Sequence, residues 1–401
     1  MLRQYNLRLW AGADFVSVLG TWMQVLGVNW YVLQVTGSST RMGLAMVVQA
    51  LPVLLLGPYG GALADRLPLR RLLVVTQALH AVLAAVLALA VWSDAGLWAV
   101  YAVALASGVV SAVDGPALGR FGGMVAGPAR LGTALAFGSL IHSTGRIVGM
   151  AAGGALVASV GPAPLFFVNA VSFVGVVAAL LRIRVADLHT LRSAPREADA
   201  VRKGFTYLLR QPVVLATLAL AFVLGSLGRN YQVTMAAMSD GPLNGGAAGY
   251  GLLSAIFAGG TVVGALVAGQ RAELTHRLLV GAGLLASALQ VVAAFVPGLW
   301  GFALVLVPIA AAAVVLDTTV SARIQLDTRE DMRGRVLATV GVVGSLSGMV
   351  GAPVLGWLAE TAGPRAALAI GGAVCLAACG LVGSRLLRPA GADVPVALAT
   401  A

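Results

Sequence analysis

Charged side chains inside long apolar segments are the residues of this sequence best placed to do chemistry. Asp14, Arg146 and Arg229 lie within such segments, and Asp114 and Asp317 lie towards the ends of two others. A charge in such surroundings is costly, so each of these residues is a functional candidate. The carboxylates could bind and release protons, and the arginines could attract negatively charged groups.

Asp14, Asp114 and Arg146 are the candidates for a proton or charge relay. Asp14 is the strongest candidate for the proton carrier, because a carboxylate that is partly removed from water can change its protonation near neutrality. The alternative is a permanent ion pair between Asp14 and Arg146. His80 and His142 are expected to pack or to form hydrogen bonds rather than to transfer protons.

A polar stripe in the first apolar segment predicts one wall of a substrate cavity. Ser17, Thr21 and Gln24 follow Asp14 at spacings of three, four and three residues. The four side chains therefore share one face of a helix. A polar face turned to lipid would be costly, so we expect it to line a water-filled cavity. Buried polar contacts between helices are the alternative.

Arg229 and Asn230 predict a second wall of that cavity, in the first apolar segment of the second half of the chain. Arg229 has no acidic neighbour in the sequence, so it could attract an anionic group of a substrate. The alternative is an arginine that reaches the membrane surface or bonds to backbone carbonyls.

The elements that position these residues are predicted to be transmembrane helices. The chain has 401 residues, of which 59% are hydrophobic and only 10% are charged, whereas soluble domains carry roughly 25% charged residues. Apolar runs of about 20 residues have the length that crosses a bilayer as helix. No phosphate-binding loop, metal cluster or nucleophile elbow occurs in the sequence. We therefore expect no enzyme, no cofactor and no metal.

Twelve apolar segments follow one another along the chain. In the first half they are 9–33, 43–64, 72–92, 97–118, 134–158 and 164–182. In the second half they are 212–236, 249–270, 277–296, 299–322, 336–359 and 365–387. Most of the 26 basic residues fall in the termini and in the loops between apolar segments that lie on the same side of the membrane as the amino terminus. This bias predicts a multi-pass protein with both termini in the cytoplasm, and it argues against nucleic-acid binding as the reason for the positive charge.

The two halves of the chain resemble each other at an offset of 203 residues, as in the pair Asp114 and Asp317. Each half has an even number of segments, so the repeats should lie parallel. This is the plan of a two-bundle transporter with its site between the halves. We predict an N-terminal six-helix bundle (1–182), a cytoplasmic linker (183–211) and a C-terminal six-helix bundle with a short tail (212–401).

Glycine and alanine residues four apart recur in four of the segments. They are Gly57 and Gly61; Gly145, Gly149 and Gly153; Gly260 and Gly264; and Gly344, Gly348, Ala352 and Gly356. Such spacing lets helix backbones approach closely. It predicts either static packing within a bundle or a smooth surface on which the bundles rock.

A short charged segment between the second and third apolar runs resembles the signature loop of the major facilitator superfamily. It reads Gly61-Ala-Leu-Ala-Asp65-Arg66 and is closed by Arg70-Arg71. Other stretches are similar to an exporter branch that includes enterobactin exporters and related secretion effectors. They are Leu19-Gly-Thr-Trp-Met-Gln24, Leu51-Pro52, Asp114-Gly-Pro116-Ala, Arg146-Ile-Val-Gly149 and Arg333-Gly-Arg335-Val. The resemblance covers about 8–388 and specifies the substrate poorly.

The resemblance implies a gate formed by Gly61, Asp65, Arg66, Arg70 and Arg71, with charge contacts that hold the outward-open state. It also assigns Arg146, Gly149 and Gly153 to an exporter motif in the fifth helix. Met150 departs from that motif, where the family usually has proline, and the fourth segment lacks an arginine typical of many proton-coupled drug exporters.

These observations predict an all-α membrane protein with twelve transmembrane helices in two pseudo-symmetric bundles. We expect it to export a small organic molecule by alternating access in exchange for protons. The molecule would be a drug-like metabolite or a siderophore. Its partners would be that substrate, protons and the lipid bilayer of the bacterial cytoplasmic membrane, with the protein acting as a monomer. The alternative is a membrane sensor or assembly partner that does not transport.

Overall fold

The computed structural model describes residues 5–127, 131–189, 200–271 and 273–387, and it is helical almost throughout. The helices of the first half are α1 (Tyr5–Thr36), α2 (Ser39–Arg66), α3 (Leu69–Trp92), α4 (Leu97–Ala126), α5 (Leu131–Val160) and α6 (Ala163–Arg182). The remaining helices are α7 (Ala200–Leu208), α8 (Pro212–Leu227), α9 (Tyr231–Asp240), α10 (Gly246–Gly269), α11 (His276–Phe295), α12 (Leu299–Leu326), α13 (Arg333–Thr361) and α14 (Pro364–Leu386).

Twelve spans of the described chain are long and apolar enough to cross a membrane, with α8 and α9 together forming one of them. The predicted fold class, an all-α membrane protein with twelve transmembrane helices in two pseudo-symmetric bundles, is confirmed. The predicted segments lie inside the observed helices to within a few residues, because apolar length is a local property of the sequence.

The seventh span differs from the prediction of one continuous helix over 212–236. α8 ends at Leu227 and α9 begins at Tyr231. The Asn230 side-chain amide donates to the backbone carbonyls of Gly225 and Ser226, at 3.2 and 2.7 Å. These bonds satisfy carbonyls at the end of α8, so the helix can break here without leaving them unpaired.

The bundles are built from neighbouring helices of each half. In the first bundle α2 packs on α4, α3 packs on α6, and α1 lies against both α5 and α6. In the second bundle α10 packs on α12, α11 packs on α14, and α8 lies against α13. The bundles meet along two lines, α2 against α13 and α5 against α10. The offset of 203 residues relates α2 to α10 and α5 to α13. It therefore exchanges the two lines of contact, as a pseudo-two-fold axis requires.

The described part of the linker contains a 3-10 turn (Val185–Asp187) and the short helix α7. Leu208 at the end of α7 is fully buried in the core of the second bundle, and the Tyr207 hydroxyl accepts a hydrogen bond from the Arg329 backbone N–H at 3.3 Å. This helix is therefore held by the second bundle. Residues 190–199 of the predicted linker and 388–401 of the predicted tail lie outside the described residues, and the predicted bundle limits stay a prediction.

Five of the repeated glycines approach a helix of their own bundle, namely Gly145, Gly149, Gly153, Gly260 and Gly264, whereas Gly356 approaches Ser39 of the other bundle. A Cβ atom on Gly149 would lie 2.6 Å from the Leu19 carbonyl oxygen, and one on Gly264 would lie 2.5 Å from the Ala311 carbonyl oxygen. Both approaches join helices of the same bundle. They favour the interpretation of static packing over that of a sliding surface at these positions.

The bundles touch at one end of the molecule. We call this end the first-loop end, because it carries the loop of residues 37–38 between α1 and α2. The opposite end is the gate-loop end, because it carries Leu67 and Pro68 between α2 and α3. Near the first-loop end, a Cβ on Gly154 of α5 would lie 2.5 Å from the Gly251 Cα of α10. On the gate-loop side, a Cβ on Gly344 would meet no heavy atom within 4 Å. The helices of the two bundles are therefore in backbone contact near the first-loop end.

Candidate functional site

A central cavity of about 170 Å³ lies between the bundles. The first bundle lines it with Trp22, Met46, Arg146 and Met150. The second bundle lines it with Arg229, Asn230, Tyr231, Gln232, Met235, Ser254 and Phe257. Arg229 and Asn230 lie at the break between α8 and α9, so the broken span brings polar groups to the middle of the membrane protein. The cavity is the candidate substrate site.

Arg146 reaches across the cavity from the first bundle to the second. Its Nη2 donates to the Thr261 hydroxyl at 2.6 Å, and its guanidinium lies over the Trp22 ring, 5.5 Å from the centroid. Among the described residues no carboxylate lies within 4 Å of it. The structure thus does not form the Asp14–Arg146 ion pair that was the alternative interpretation of both residues, and a neutral hydroxyl and an aromatic face take its place.

Asp14 has a histidine as its neighbour. Its Oδ2 lies 3.7 Å from Nε2 of His142 on α5, and the side chains are 22% and 63% exposed. His142 is therefore the side chain that faces the Asp14 carboxylate from α5. The sequence did not suggest this pair, because the residues lie in the first and the fifth apolar segments.

The other members of the polar stripe on α1 are not among the described residues that line the central cavity. Gln24 accepts a hydrogen bond from the Asn169 amide of α6 at 2.9 Å. Ser17 is half-buried and Thr21 is exposed. The shared helical face predicted from the spacing exists, but the neighbour of Gln24 is a helix of its own bundle, as the interhelical alternative proposed. Trp22, on a different face, is the α1 residue in the cavity.

Arg229 forms an ion pair with Asp317 of α12, although no acidic residue is near it in the sequence. The side chains are 32% and 49% exposed. Arg229 also lines a second recess of about 290 Å³, on the second bundle, whose wall includes Asp317, Ser321 and Gly344. Arg229 therefore stands between the central cavity and this recess, and its charge is compensated in the state described here.

Asp114 lies away from the cavity, buried between α3 and α4. It accepts hydrogen bonds from the Thr76 hydroxyl at 2.5 Å and from the Gln77 amide at 2.9 and 3.1 Å. His80 Nε2 lies 3.9 Å from the second carboxylate oxygen of Asp114, and the His80 ring stacks on Phe173. The carboxylate is thus held by neutral donors, and His80 is part of its surroundings rather than an isolated packing residue.

Two hydroxyl groups of the cavity wall were not singled out from the sequence. Tyr231 and Ser254 are only 5% and 4% exposed, and neither hydroxyl has a hydrogen-bond partner among the described residues. The Tyr231 ring packs against Phe257 with ring centroids 4.5 Å apart. The position of Tyr231 directly after the Arg229–Asn230 break is the signal that could have identified it.

The predicted gate residues lie at the gate-loop end, at the junction of α2 and α3. Asp65 forms an ion pair with Arg120 of α4, which also donates to the Ala64 carbonyl at 3.0 Å. Arg70 donates to the carbonyls of Leu180 and Leu181 at the end of α6, both at 2.7 Å. These contacts tie α2, α3, α4 and α6 together within the first bundle. Gly61 is buried, and Arg66 and Arg71 are exposed.

Polar contacts close the first-loop end between the bundles. The Asn29 amide of α1 donates to the Tyr250 hydroxyl of α10 at 3.2 Å, and the Trp30 ring stacks on Tyr250. The Thr40 backbone N–H at the start of α2 donates to the Glu360 carboxylate of α13 at 2.8 Å. Each contact joins one bundle to the other, so they would have to break for this end to open.

Comparison with known proteins gives a match over nearly the whole chain. A family model described as "Transmembrane secretion effector" matches residues 2–396. The uncharacterized MFS-type transporter YfiS of Bacillus subtilis is 29% identical over 226 residues, which cover 55% of this chain and 53% of that protein. The Staphyloferrin A transporter of Staphylococcus aureus is 26% identical over 163 residues, which cover 40% of this chain and 41% of that protein. The matches span about half the length of these curated relatives, or less.

A solved structure extends the likeness to the fold of both bundles. The nucleoside transporter NupG superposes with a TM-score of 0.80, at 12% identity, over 96% of this chain and 100% of NupG. At that identity the likeness concerns the fold alone.

Proposed function

The chain belongs to the transmembrane secretion effector family of major facilitator transporters, and from this premise we propose that it exports a small organic molecule across the bacterial cytoplasmic membrane in exchange for protons. The activity of such a protein is transport rather than catalysis. The observation that carries the proposal is a central cavity between two bundles whose described helices are in backbone contact near the first-loop end.

Alternating access supplies the mechanism. With the bundles in contact at the first-loop end, the central cavity would communicate with the gate-loop end. Rocking of the bundles would break the first-loop contacts and bring the gate-loop ends together, so the cavity would open to the opposite side. Such rigid-body exchange around a fixed site is the usual working of a transporter built from repeats. The excess of basic residues on the gate-loop side supports a cytoplasmic location for that side.

The gate loop would act in the second half of this cycle. In the state described here Asp65 pairs with Arg120 of its own bundle. We propose that Asp65 and the loop arginines meet the second bundle when the gate-loop ends close, and thereby hold the outward-open state. The pair with Arg120 keeps the Asp65 carboxylate oriented at the end of α2 while the gate is open.

Asp14 with His142 is the proposed proton site. A proton from outside would bind the Asp14 carboxylate when the cavity faces outward, and it would leave to the cytoplasm after the bundles return. Asp14 and His142 belong to α1 and α5, and α5 is one of the helices at the bundle interface. Protonation can therefore bias the equilibrium between the two states, since a ligand shifts a population by its preference for one state.

The substrate would be a drug-like metabolite or a siderophore. One relative is named as the Staphyloferrin A transporter, and this name supports a siderophore substrate. A sensor or assembly partner without transport is the remaining alternative, and the intact charge contacts of the gate loop argue against it.

The test of export uses inverted membrane vesicles with an acidic interior. Enterobactin and the dye ethidium represent the two substrate interpretations, and uptake of either one, dependent on the pH gradient, is expected. The Asp14→Asn variant should transport without responding to the pH gradient, and Asp94→Asn, a change to an exposed carboxylate in the loop after α3, serves as the matched control. Gradient-driven uptake by Asp14→Asn equal to that of the control would exclude Asp14 as the carrier.

Topology has its own test. A reporter at Leu188 should be cytoplasmic and one at Asn244 should be external. The opposite result would overturn the proposed orientation.

A further inference from the structure

We propose that the central cavity selects an organic anion, and that Arg146 is the cation that binds its acidic group. This inference rests on the proposed transport function and adds the substrate class to it. A carboxylate is the simplest acidic group that fits, because the guanidinium can offer it two parallel N–H donors.

The charges around the cavity carry the proposal. Among the described residues that line it, the charged side chains are Arg146 and Arg229. Asp317 compensates Arg229 from α12, whereas Arg146 contacts a hydroxyl and an aromatic ring. One positive charge of the cavity is thus left without a counter-charge in the described structure. An uncompensated charge at membrane depth is costly, and an anionic ligand is what removes that cost.

Two residues of the wall carry hydroxyl groups that lack hydrogen-bond partners within the described part of the chain and are shielded from the cavity surface. Tyr231 and Ser254 are more than nine-tenths buried, line the cavity and lack hydrogen-bond partners among the described residues. Buried polar groups of proteins are normally paired, so a ligand whose acceptor atoms reached these shielded hydroxyls would satisfy them. An acidic group accepts hydrogen bonds and donates none when ionised, which matches this set of donors.

The rest of the wall is apolar and fits the body of the anion. Trp22 and Phe257 face the cavity from opposite bundles, together with Met46, Met150 and Met235. The volume of about 170 Å³ is smaller than the roughly 300–1,000 Å³ that enclose drug-sized ligands. The cavity therefore holds a small aromatic acid, or the acidic end of a larger molecule whose remainder extends into the recess beside Arg229.

Arg146 also links recognition to the movement of the bundles. It belongs to the first bundle, and its hydrogen-bond partner Thr261 belongs to the second. An anion bound to Arg146 changes the charge at this crossing point between the bundles. Asp317 has a different role, because it neutralises Arg229 and so leaves Arg146 as the uncompensated cation among the described residues of the cavity wall.

The test measures binding to the full chain in lipid nanodiscs. The probes are a panel of aromatic and aliphatic carboxylates, such as salicylate, each compared with its amide, such as salicylamide, which has nearly the same shape without the charge. We expect at least one acid to bind tenfold or more tighter than its amide. Arg146→Gln should lower the affinity for that acid by about tenfold to a hundredfold, the range of a charge-assisted hydrogen bond, and leave the amide within about twofold. Arg146→Lys should restore part of the loss.

A second variant tests the charge argument in the opposite direction. Asp317→Asn removes the counter-charge of Arg229, so it should raise the affinity for the acid several-fold. Arg41→Gln, at an exposed position of the first-loop end, should change neither affinity. The inference is overturned if every acid of the panel binds no tighter than its amide, or if Arg146→Gln weakens acid and amide equally.

Transport distinguishes this failure from failure of the proposed function. If the protein exports ethidium with the pH gradient but binds acids and amides equally, the exporter stands and the anion site falls. If acids bind as expected but no compound is transported in vesicles, the anion site stands and the exporter falls.

Discussion

The close approach of Gly154 and Gly251 allows a sharp test of how the bundles meet. A Cβ atom added to Gly251 would lie 2.5 Å from the Gly154 Cα and 2.8 Å from the Met150 carbonyl oxygen. Both atoms belong to the backbone of α5, so no side-chain rotation can make room. Gly251→Ala should therefore force α5 and α10 apart at the first-loop end.

The size of the effect follows from this distance. Carbon atoms in favourable contact are about 3.5–4.0 Å apart, so the helices must separate by at least about 1 Å. Forcing a methyl group into a packed contact typically costs about 1–3 kcal/mol. Since every 1.4 kcal/mol is a factor of ten, the ratio of closed to open first-loop ends should fall by roughly fivefold to more than a hundredfold.

Distance measurements between spin labels report the two ends separately. One pair at Val35 and Thr361 spans the first-loop end, and a second pair at Leu67 and Leu326 spans the gate-loop end. In Gly251→Ala the first distance should lengthen and the second should shorten. The buried Cys375 and Cys379 would be replaced beforehand so that they take up no label.

Gly259→Ala is the matched control, because a Cβ at this position of the same helix α10 meets no heavy atom within 4 Å. Both variants gain the same helix propensity, roughly 1 kcal/mol for glycine to alanine. Identical distance distributions in the two variants would refute the argument that this glycine contact holds the end closed.

Three further predictions follow from single contacts. Tyr250→Phe removes the hydrogen bond from Asn29, which is worth about 1 kcal/mol. The same spin labels should therefore show a ratio of closed to open first-loop ends that is roughly fivefold lower. An unchanged ratio would show that the bond does not hold this end closed. Asp65→Asn breaks the pair with Arg120 and should reduce export at least tenfold with normal amounts in the membrane; Arg120→Gln should behave alike, and normal efflux in both would remove the pair from the gate. Phe166→Ala truncates a fully buried ring and should lower the free energy of unfolding by about 3–5 kcal/mol, measured by denaturation in detergent, whereas a loss below 1 kcal/mol would contradict its place in the core.

The sequence predicted the helices well because their main determinant is local. An apolar run of sufficient length must form helix in a bilayer, whatever its neighbours are. The third span, predicted as 72–92, is observed as Leu69–Trp92. The break after Leu227 escaped prediction, because both of its sides are apolar enough for one span. Its signal was the order Gly228, Arg229, Asn230, in which a helix terminator precedes a side chain that can bond to the preceding carbonyls.

Contacts between side chains were less predictable, because helical spacing gives the face of a residue and not the helix opposite. The stripe on α1 led to a cavity wall, yet Gln24 meets Asn169. Arg229 had no acidic neighbour in the sequence, and its partner Asp317 is supplied by another helix. The sequence does not connect His142 with Asp14, yet α5 brings it beside that carboxylate. Such pairs depend on which helices are adjacent, and that is a property of the whole fold.

The broken seventh span also shapes the electric field of the cavity. Aligned peptide dipoles give the start of a helix the equivalent of roughly half a positive charge, and α9 starts at Tyr231, in the cavity wall. The negative end of α8 is separated from the start of α9 by three residues and offsets part of this positive potential, although the Asn230 amide bonds to two of the α8 carbonyls. The remainder arises from the main chain, so pH does not remove it. The Arg146→Gln variant should therefore keep a weak residual preference for acids over amides. Straightening the span into one helix would abolish that remainder, since the positive pole would then lie near the membrane surface.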